Sequence, residues 1–221
     1  MTITMRYPSM HVMAFVRRSA LLAAGLVTLA SSASAQNTDS NKWRLGASAG
    51  AFMPRSALIK STDGQNTTLD AGAAFALNID YSASNSIAIY GNLFTAGSSI
   101  TLGTAIQPDV VGPSNQVMLL GGTAGVIGVL PDTGPLRLSL RIGGGFKGYM
   151  FDLTGAEDQW RPTLDVGIGF QGVGTGPIEV SAEIRYLGSS FDQSKLPIRG
   201  ITPQNQQQND LFFTVGIAIR P

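Results

Sequence analysis

Seven charged side chains fall at alternate positions of three successive segments: Arg137 and Arg141, then Arg161 and Asp165, then Glu179, Glu183 and Arg185. Period-two spacing puts the members of each segment on one face of an extended strand. Folding the last two segments about residues 171–177 brings Asp165 roughly opposite Glu183. Folding the first two together sets Arg141 diagonally near Asp165, and Arg185 lies two residues beyond Glu183. Two carboxylates about 5–9 Å apart can cleave a glycosidic bond, but only where a cleft admits the sugar. Carboxylates this close also need cations beside them, or one takes up a proton. The segments supply those cations. The expected arrangement is therefore a buried network of ion pairs with a structural role, since buried charges in folded proteins are normally paired. Arg44, Asp70, Asp80, Lys147 and Arg220 join the same inward set.

Other chemistry lacks its parts. The one histidine, His11, lies in a segment expected to be removed, and there is no cysteine. That leaves no thiolate ligand, no disulfide framework and no lipid-anchored N-terminal cysteine. Serines are plentiful, but a serine nucleophile needs a base, and Lys42, Lys60, Lys147 and Lys195 form no Ser–Lys motif. The strings Gly143 to Lys147 and Gly167 to Gly172 resemble phosphate loops faintly. A phosphate loop runs from a strand into a helix N-terminus, whereas these lie in or beside expected strands. Asp109, Asp152, Glu157, Asp158 and Asp192 are too scattered for a calcium site. No catalytic residue, cofactor or metal is expected.

The elements that position the charges follow from the rest of the chain. Residues 1–35 read as a signal peptide: Arg6, Arg17 and Arg18 precede an apolar run from Ala20 to Ala30, and Ser32 to Ala35 supply a small-residue cleavage site. Arg17-Arg18 lacks the rest of a twin-arginine motif, so the general secretory route is expected. Residues 36–221 then form one domain. Losing the three arginines takes the formal charge from +1 to −2, which offers nothing to nucleic acid. Charged residues make up 13% of the chain, against about 25% in soluble domains. No apolar run beyond the signal peptide reaches about 18 residues.

Eight segments alternate instead. Trp43, Leu45, Ala47, Ala49 and Ala51 oppose Arg44, Gly46, Ser48 and Gly50. Phe75, Leu77, Ile79 and Tyr81 oppose Ala74, Ala76, Asn78 and Asp80. Leu136, Leu138, Leu140, Ile142 and Phe146 oppose Arg137, Ser139, Arg141 and Lys147. Trp160, Leu164, Val166, Ile168 and Phe170 oppose Arg161, Thr163 and Asp165. Ile178, Val180, Ile184 and Tyr186 oppose Glu179, Ser181, Glu183 and Arg185. Leu211, Phe213, Val215, Ile217 and Ile219 oppose Phe212, Thr214, Gly216 and Ala218. The third segment, 87–94, has less distinct faces, and the fourth, 116–130, is apolar and glycine-rich on both, so no register follows for it. Short Gly/Pro/Ser-rich turns at 82–86, 131–135 and 171–177 alternate with long polar loops at 53–69, 95–115, 149–159 and 188–209.

In this pattern the chain resembles the small eight-stranded outer-membrane β-barrels of the OmpA/OmpX type, over the whole of 36–221. The resemblance implies an antiparallel up-and-down transmembrane barrel in the outer membrane of a Gram-negative-type bacterium. It implies contact with lipid and lipopolysaccharide, and handling by periplasmic chaperones and the barrel-assembly machinery. The chain departs from the family in ending Ile217-Ala-Ile-Arg-Pro221, where members commonly end in an aromatic residue.

A soluble lipocalin-like barrel would bury the apolar face. Two features favour the membrane orientation. The polar faces are mostly Gly, Ser, Ala and Thr, which suit a narrow lumen, and Trp43, Tyr81, Phe146, Trp160, Phe170 and Tyr186 sit near the ends of the apolar faces, as aromatic girdles do. The expected role is structural, with four long external loops open to an extracellular ligand; the alternatives are a narrow channel for small solutes and a soluble periplasmic lipid-binding barrel. A lipid-facing Arg near the midplane costs about 2–4 kcal/mol. Leu140→Arg therefore blocks assembly while Ser139→Arg is tolerated, read as loss or retention of the heat-modifiable gel band.

Overall fold

The computed structural model describes residues 42–61, 64–106, 115–130, 136–172 and 178–220. The expected signal peptide and its cleavage site lie outside these residues. Among the described residues there are nine strands: β1 (Trp43–Pro54), β2 (Thr68–Leu69), β3 (Gly72–Ser82), β4 (Ile87–Thr101), β5 (Gln116–Val129), β6 (Leu136–Asp152), β7 (Gln159–Gly172), β8 (Ile178–Asp192) and β9 (Asn205–Ile219). Strand β2 is the continuation of β3: both pair with β4, but with registers one residue apart, so 70–71 form a bulge. Eight long strands therefore pair antiparallel in chain order, and β1 meets β9, so the sheet closes.

Following hydrogen-bonded partners from Ser48 fixes the stagger of the barrel. One way round leads through Gly216, Ser181 and Gln171 to Arg137. The other leads through Ala76, Phe94 and Gly121 to Lys147. The two arrivals on β6 lie ten residues apart, which is the shear that closure requires. Arg141, between them, faces Ser48 across the lumen at nearly the same height.

The apolar members of each alternating segment point out. Ile142 is 62% exposed and Ile217 60%, while Arg141 between two such neighbours is 4% exposed. Trp43, Tyr81 and Phe170 ring the turn end, and Phe146, Trp160 and Tyr186 the loop end, with the Trp43 and Tyr81 rings 4.9 Å apart. On β7 the ten steps from Trp160 to Phe170 span about 34 Å along the strand, or about 26 Å of height at a tilt near 40°.

The strands run further than the alternation predicts. Strand β4 continues to Thr101, β6 to Asp152 and β8 to Asp192, and β9 begins at Asn205 inside what reads as a polar loop. In this extension the polarity of the wall inverts. Ser99, Thr101 and Asp152 are exposed on the outside, while Ile100, Val117, Leu119, Tyr149, Leu187 and Phe191 pack inside with Phe52, Phe94 and Phe212. The loop end is thus filled by an ordinary apolar core rather than by the small and charged residues expected throughout the lumen. Leu58, Ile59, Leu153 and Leu196 from the connections, with Leu69 of β2, complete it. Asp70 is not among the lumen charges: it sits at the bulge and accepts hydrogen bonds from the Ser99 and Thr101 hydroxyls at 3.0 Å each.

Large inward side chains fit because glycine faces them. A Cβ on Gly121 would lie 2.3 Å from the Phe94 ring and 2.7 Å from the Phe146 carbonyl oxygen. Gly121→Val is therefore expected to lose about 1–3 kcal/mol to overpacking, and Phe94→Ala in the same chain to recover part of it, as measured by urea unfolding in micelles.

Candidate functional site

The inward charges lie in layers. At the turn end, Arg44 of β1 donates to Asp80 (2.7 Å) and to Glu179 (3.0 Å), and Arg220 donates to the other Glu179 oxygen at 2.6 Å. This layer joins β1, β3 and β8, together with the residue that follows β9.

The middle layer centres on Asp165, which is fully buried. Arg185 reaches it with Nε (3.2 Å) and Nη2 (2.7 Å), donates from Nη1 to Asn92 Oδ1 at 2.6 Å, and shares Nη2 with Thr123 at 3.0 Å. Tyr90 and Thr123 donate their hydroxyls to Asp165 Oδ2 at 2.9 and 2.7 Å. Asn92 passes its amide on to Asn78 and to the Leu77 carbonyl. Arg141 lies over the Tyr90 ring, donates to Glu183 at 2.7 Å, and stands 3.9 Å from Asp165. The layer therefore ties β3, β4, β5, β6, β7 and β8 through one carboxylate. Above it Lys147 pairs with Asp210, and Tyr149 donates to the same oxygen at 3.4 Å. The rings of Phe52, Phe94 and Phe212 close over the middle layer, with the Arg185 guanidinium 5.5 Å from the Phe94 centroid.

The sequence-expected residues divide accordingly. Arg141, Asp165, Glu183 and Arg185 meet. Glu179 belongs to the turn-end layer. Arg137 is half-buried on β6 opposite Gln171, below the middle layer. Arg161 stands apart: it pairs with Asp192 at 2.8 Å and donates to Gln159 at the loop end. The expected opposition of Asp165 and Glu183 is corrected by the register, which sets Glu183 against Gly169 and Asp165 against Leu187. The two carboxylates are bridged by Arg141 instead. Tyr90, Asn92, Thr123 and Asp210 were not foreseen. Tyr90 opposes Ile87, Ile89 and Leu93 in its segment, and stepping back by twos from Phe212 reaches Asp210 and Gln208, so period two held their signal.

Among the described residues no three metal-ligating side chains converge. Outside the wall, Lys195 donates to Glu157 at 2.6 Å, and this hydrogen bond holds the ammonium pKa above its ordinary value.

No family model and no curated protein matches the sequence. The fold does match solved structures. Neisserial surface protein A superposes with a TM-score of 0.54 at 15% identity, over 81% of this chain and 97% of that one. The barrel has the small outer-membrane fold. Looser matches are Ail, the attachment invasion locus protein of Yersinia pestis (TM-score 0.45, 14% identity, 80% and 99% covered), and the outer membrane protein AlkL (0.47, 12%, 98% and 96%).

A fold of this kind leaves each inward charge dependent on its partners. Arg185→Met strands Asp165 in the lumen and is expected to cost about 3–5 kcal/mol. The double variant Asp165→Leu/Arg185→Met should unfold at a urea concentration closer to that of the wild type, followed by the fluorescence of Trp43 and Trp160.

Proposed function

We propose that this chain is an outer-membrane barrel that acts as a closed, non-catalytic scaffold and makes its contacts through its loop-end extension. One observation carries the reading: the wall changes polarity along its height. From the turn end to the girdle of Phe146, Trp160 and Tyr186, apolar side chains face out and charges face in. Beyond it, polar side chains face out and the interior is mainly apolar, with Gln159, Gln193 and Gln208 buried among the apolar residues. A soluble barrel has water on its outside at every height and gains nothing from reversing. A barrel that leaves a bilayer for water must reverse at the boundary, and the outward band is about as tall as the apolar band of outer-membrane barrels, about 25 Å.

The packed lumen supports a scaffold over a channel. The layers at Glu179, Asp165 and Asp210, with the Phe52, Phe94 and Phe212 rings between the last two, stand one above another in the lumen. A catalytic pair at Asp165 and Glu183 would need both carboxylates open to a substrate; Asp165 is fully buried and already bonded to Arg185, Tyr90 and Thr123. The surface left for contacts is the extension, with lipopolysaccharide and the lipid headgroups at its base and an extracellular ligand beyond. Assembly through periplasmic chaperones and the barrel-assembly machinery belongs to the same reading.

Two measurements test it. The protein should stay in the membrane fraction after osmotic shock, where release would mark a soluble periplasmic barrel. In planar bilayers the refolded protein should be electrically silent; steady single-channel steps would replace the scaffold with a pore.

A further inference from the structure

Sulfur is placed unevenly in this chain. There is no cysteine, and four of the seven methionines lie in residues 1–35, the expected signal peptide. The other three are Met53, Met118 and Met150. Methionine ordinarily fills irregular gaps in a protein core, yet none of the three does so here. The loop-end core is built from Leu, Ile, Val, Ala, Phe and Tyr, and each thioether stands on the outer face of the wall.

Period two places them there. On β1, Met53 follows the outward residues Ala49 and Ala51 and is 40% exposed. On β5, half-buried Met118 lies between the inward residues Val117 and Leu119, and on β6 half-buried Met150 follows inward Tyr149. Met118 and Met150 are register partners, so their Cβ atoms lie about 4.5–5.5 Å apart. All three belong to the loop-end girdle. Met53 opposes Leu211, which opposes Tyr186. Met150 lies two residues beyond Gly148, the partner of Trp160. The Trp160 ring leans over β6 at that point: a Cβ on Gly148 would lie 2.9 Å from it. The thioethers thus share the rim with the indole and the phenol that an electrophilic oxidant attacks after sulfur.

We propose that Met53, Met118 and Met150 form a sacrificial oxidation site for hypochlorous acid and related chlorinating oxidants that reach the loop end. The sulfur lone pair takes chlorine as Cl⁺ and hydroxide is released. Water then adds at sulfur, chloride leaves and two protons are lost. In sum, thioether and hypochlorous acid give sulfoxide, chloride and a proton; sulfur loses the two electrons that chlorine gains. A sulfoxide is polar, and inside a core it disrupts packing. Here it fits, because the outer wall turns polar at this height: Gln116 and Asp152 form the row beyond Met118 and Met150. The soft, polarizable thioether reacts ahead of indole and phenol, so each methionine consumes one equivalent of oxidant before Trp160 or Tyr186 is chlorinated. The proposal needs only the outward register of these three residues and does not depend on what the extension contacts.

Titrating the refolded protein in micelles with hypochlorous acid tests it, read by mass spectrometry of proteolytic fragments, tryptophan fluorescence and heat-modifiable mobility. One oxygen should be added to each of the three methionines within the first three equivalents, with fluorescence and the folded band retained. The variant Met53→Leu/Met118→Leu/Met150→Leu, a nearly volume-conserving change on the outer face, should lose fluorescence from the first equivalent. Leu119→Met controls for access by placing a thioether in the close-packed interior, where it should react roughly tenfold more slowly than Met118 until the barrel is unfolded in urea. The proposal is overturned if any of Met53, Met118 and Met150 resists as the interior thioether does, or if their oxidation removes the folded band. Loss of fluorescence at the same dose in the wild type and the triple variant overturns it as well.

Discussion

A backbone amide in hydrocarbon has no water to bond, and each one left unpaired costs several kcal/mol. That constraint explains the pairing of β1 with β9. Without it, the residues from Leu45 to Met53 and from Leu211 to Ile219 would present two unpaired edges to lipid. Closure in turn fixes where charge can go. Alternation gives each strand one outer and one inner face, so once the apolar face is outside, every ionisable residue of the embedded wall must find its partner in a lumen eight strands wide. The layers at Glu179, Asp165 and Asp210 are the consequence of closure, not an addition to it.

The lumen also sets which strands depend on one another. Neighbouring strands are joined by backbone ladders, which a register slip of two residues would satisfy equally well. Asp165 breaks that degeneracy, because its partners come from β4, β5 and β8 and must arrive at one height. A slip of β8 by two would carry Arg185 away and bring Glu183 or Leu187 to the carboxylate. Gly121 and Gly143 act in the same way sterically: a Cβ on Gly143 would lie 2.3 Å from the Tyr90 hydroxyl, so only that glycine lets Tyr90 reach Asp165. Buried ion pairs add little net stability over apolar packing; here their geometry selects one register among several.

Much of this was legible in the sequence, and unevenly. Strands β6 to β9 alternate apolar and polar residues over their embedded length, so their faces follow from period two alone. Strand β5 resisted because Val117, Leu119 and Ile127 face in while Leu120 and Val126 face out, and nothing polar but Thr123 marks the inner side. The extension resisted for a related reason. Where the wall inverts, Gln206 to Asp210 read as a loop because the outward face is polar and two of the inward residues, Gln208 and Asp210, are polar as well. The charge network was legible as a set but not as pairs. A one-dimensional pattern tells which residues share the lumen, while the partner of each depends on shear, and shear is a property of the closed barrel.

The inverted extension bears on what the barrel can present to its surroundings. Long connections on a small barrel would ordinarily have to be ordered at the moment of binding, at about 0.5–1.5 kcal/mol for each rotamer-rich side chain immobilised. Here Leu58, Ile59, Leu153 and Leu196 from the connections are buried in the same core as Phe94 and Phe212 of the wall. Side-chain amides add to this: Gln193 bonds the Leu58 carbonyl, and Gln208 the Ser56 carbonyl. Much of the ordering is therefore met when the barrel folds. The polar groups that remain on the outside, among them Arg55, Lys60 and Arg199, are carried by connections anchored to the strands, so among the described residues the loop end is ordered by folding itself.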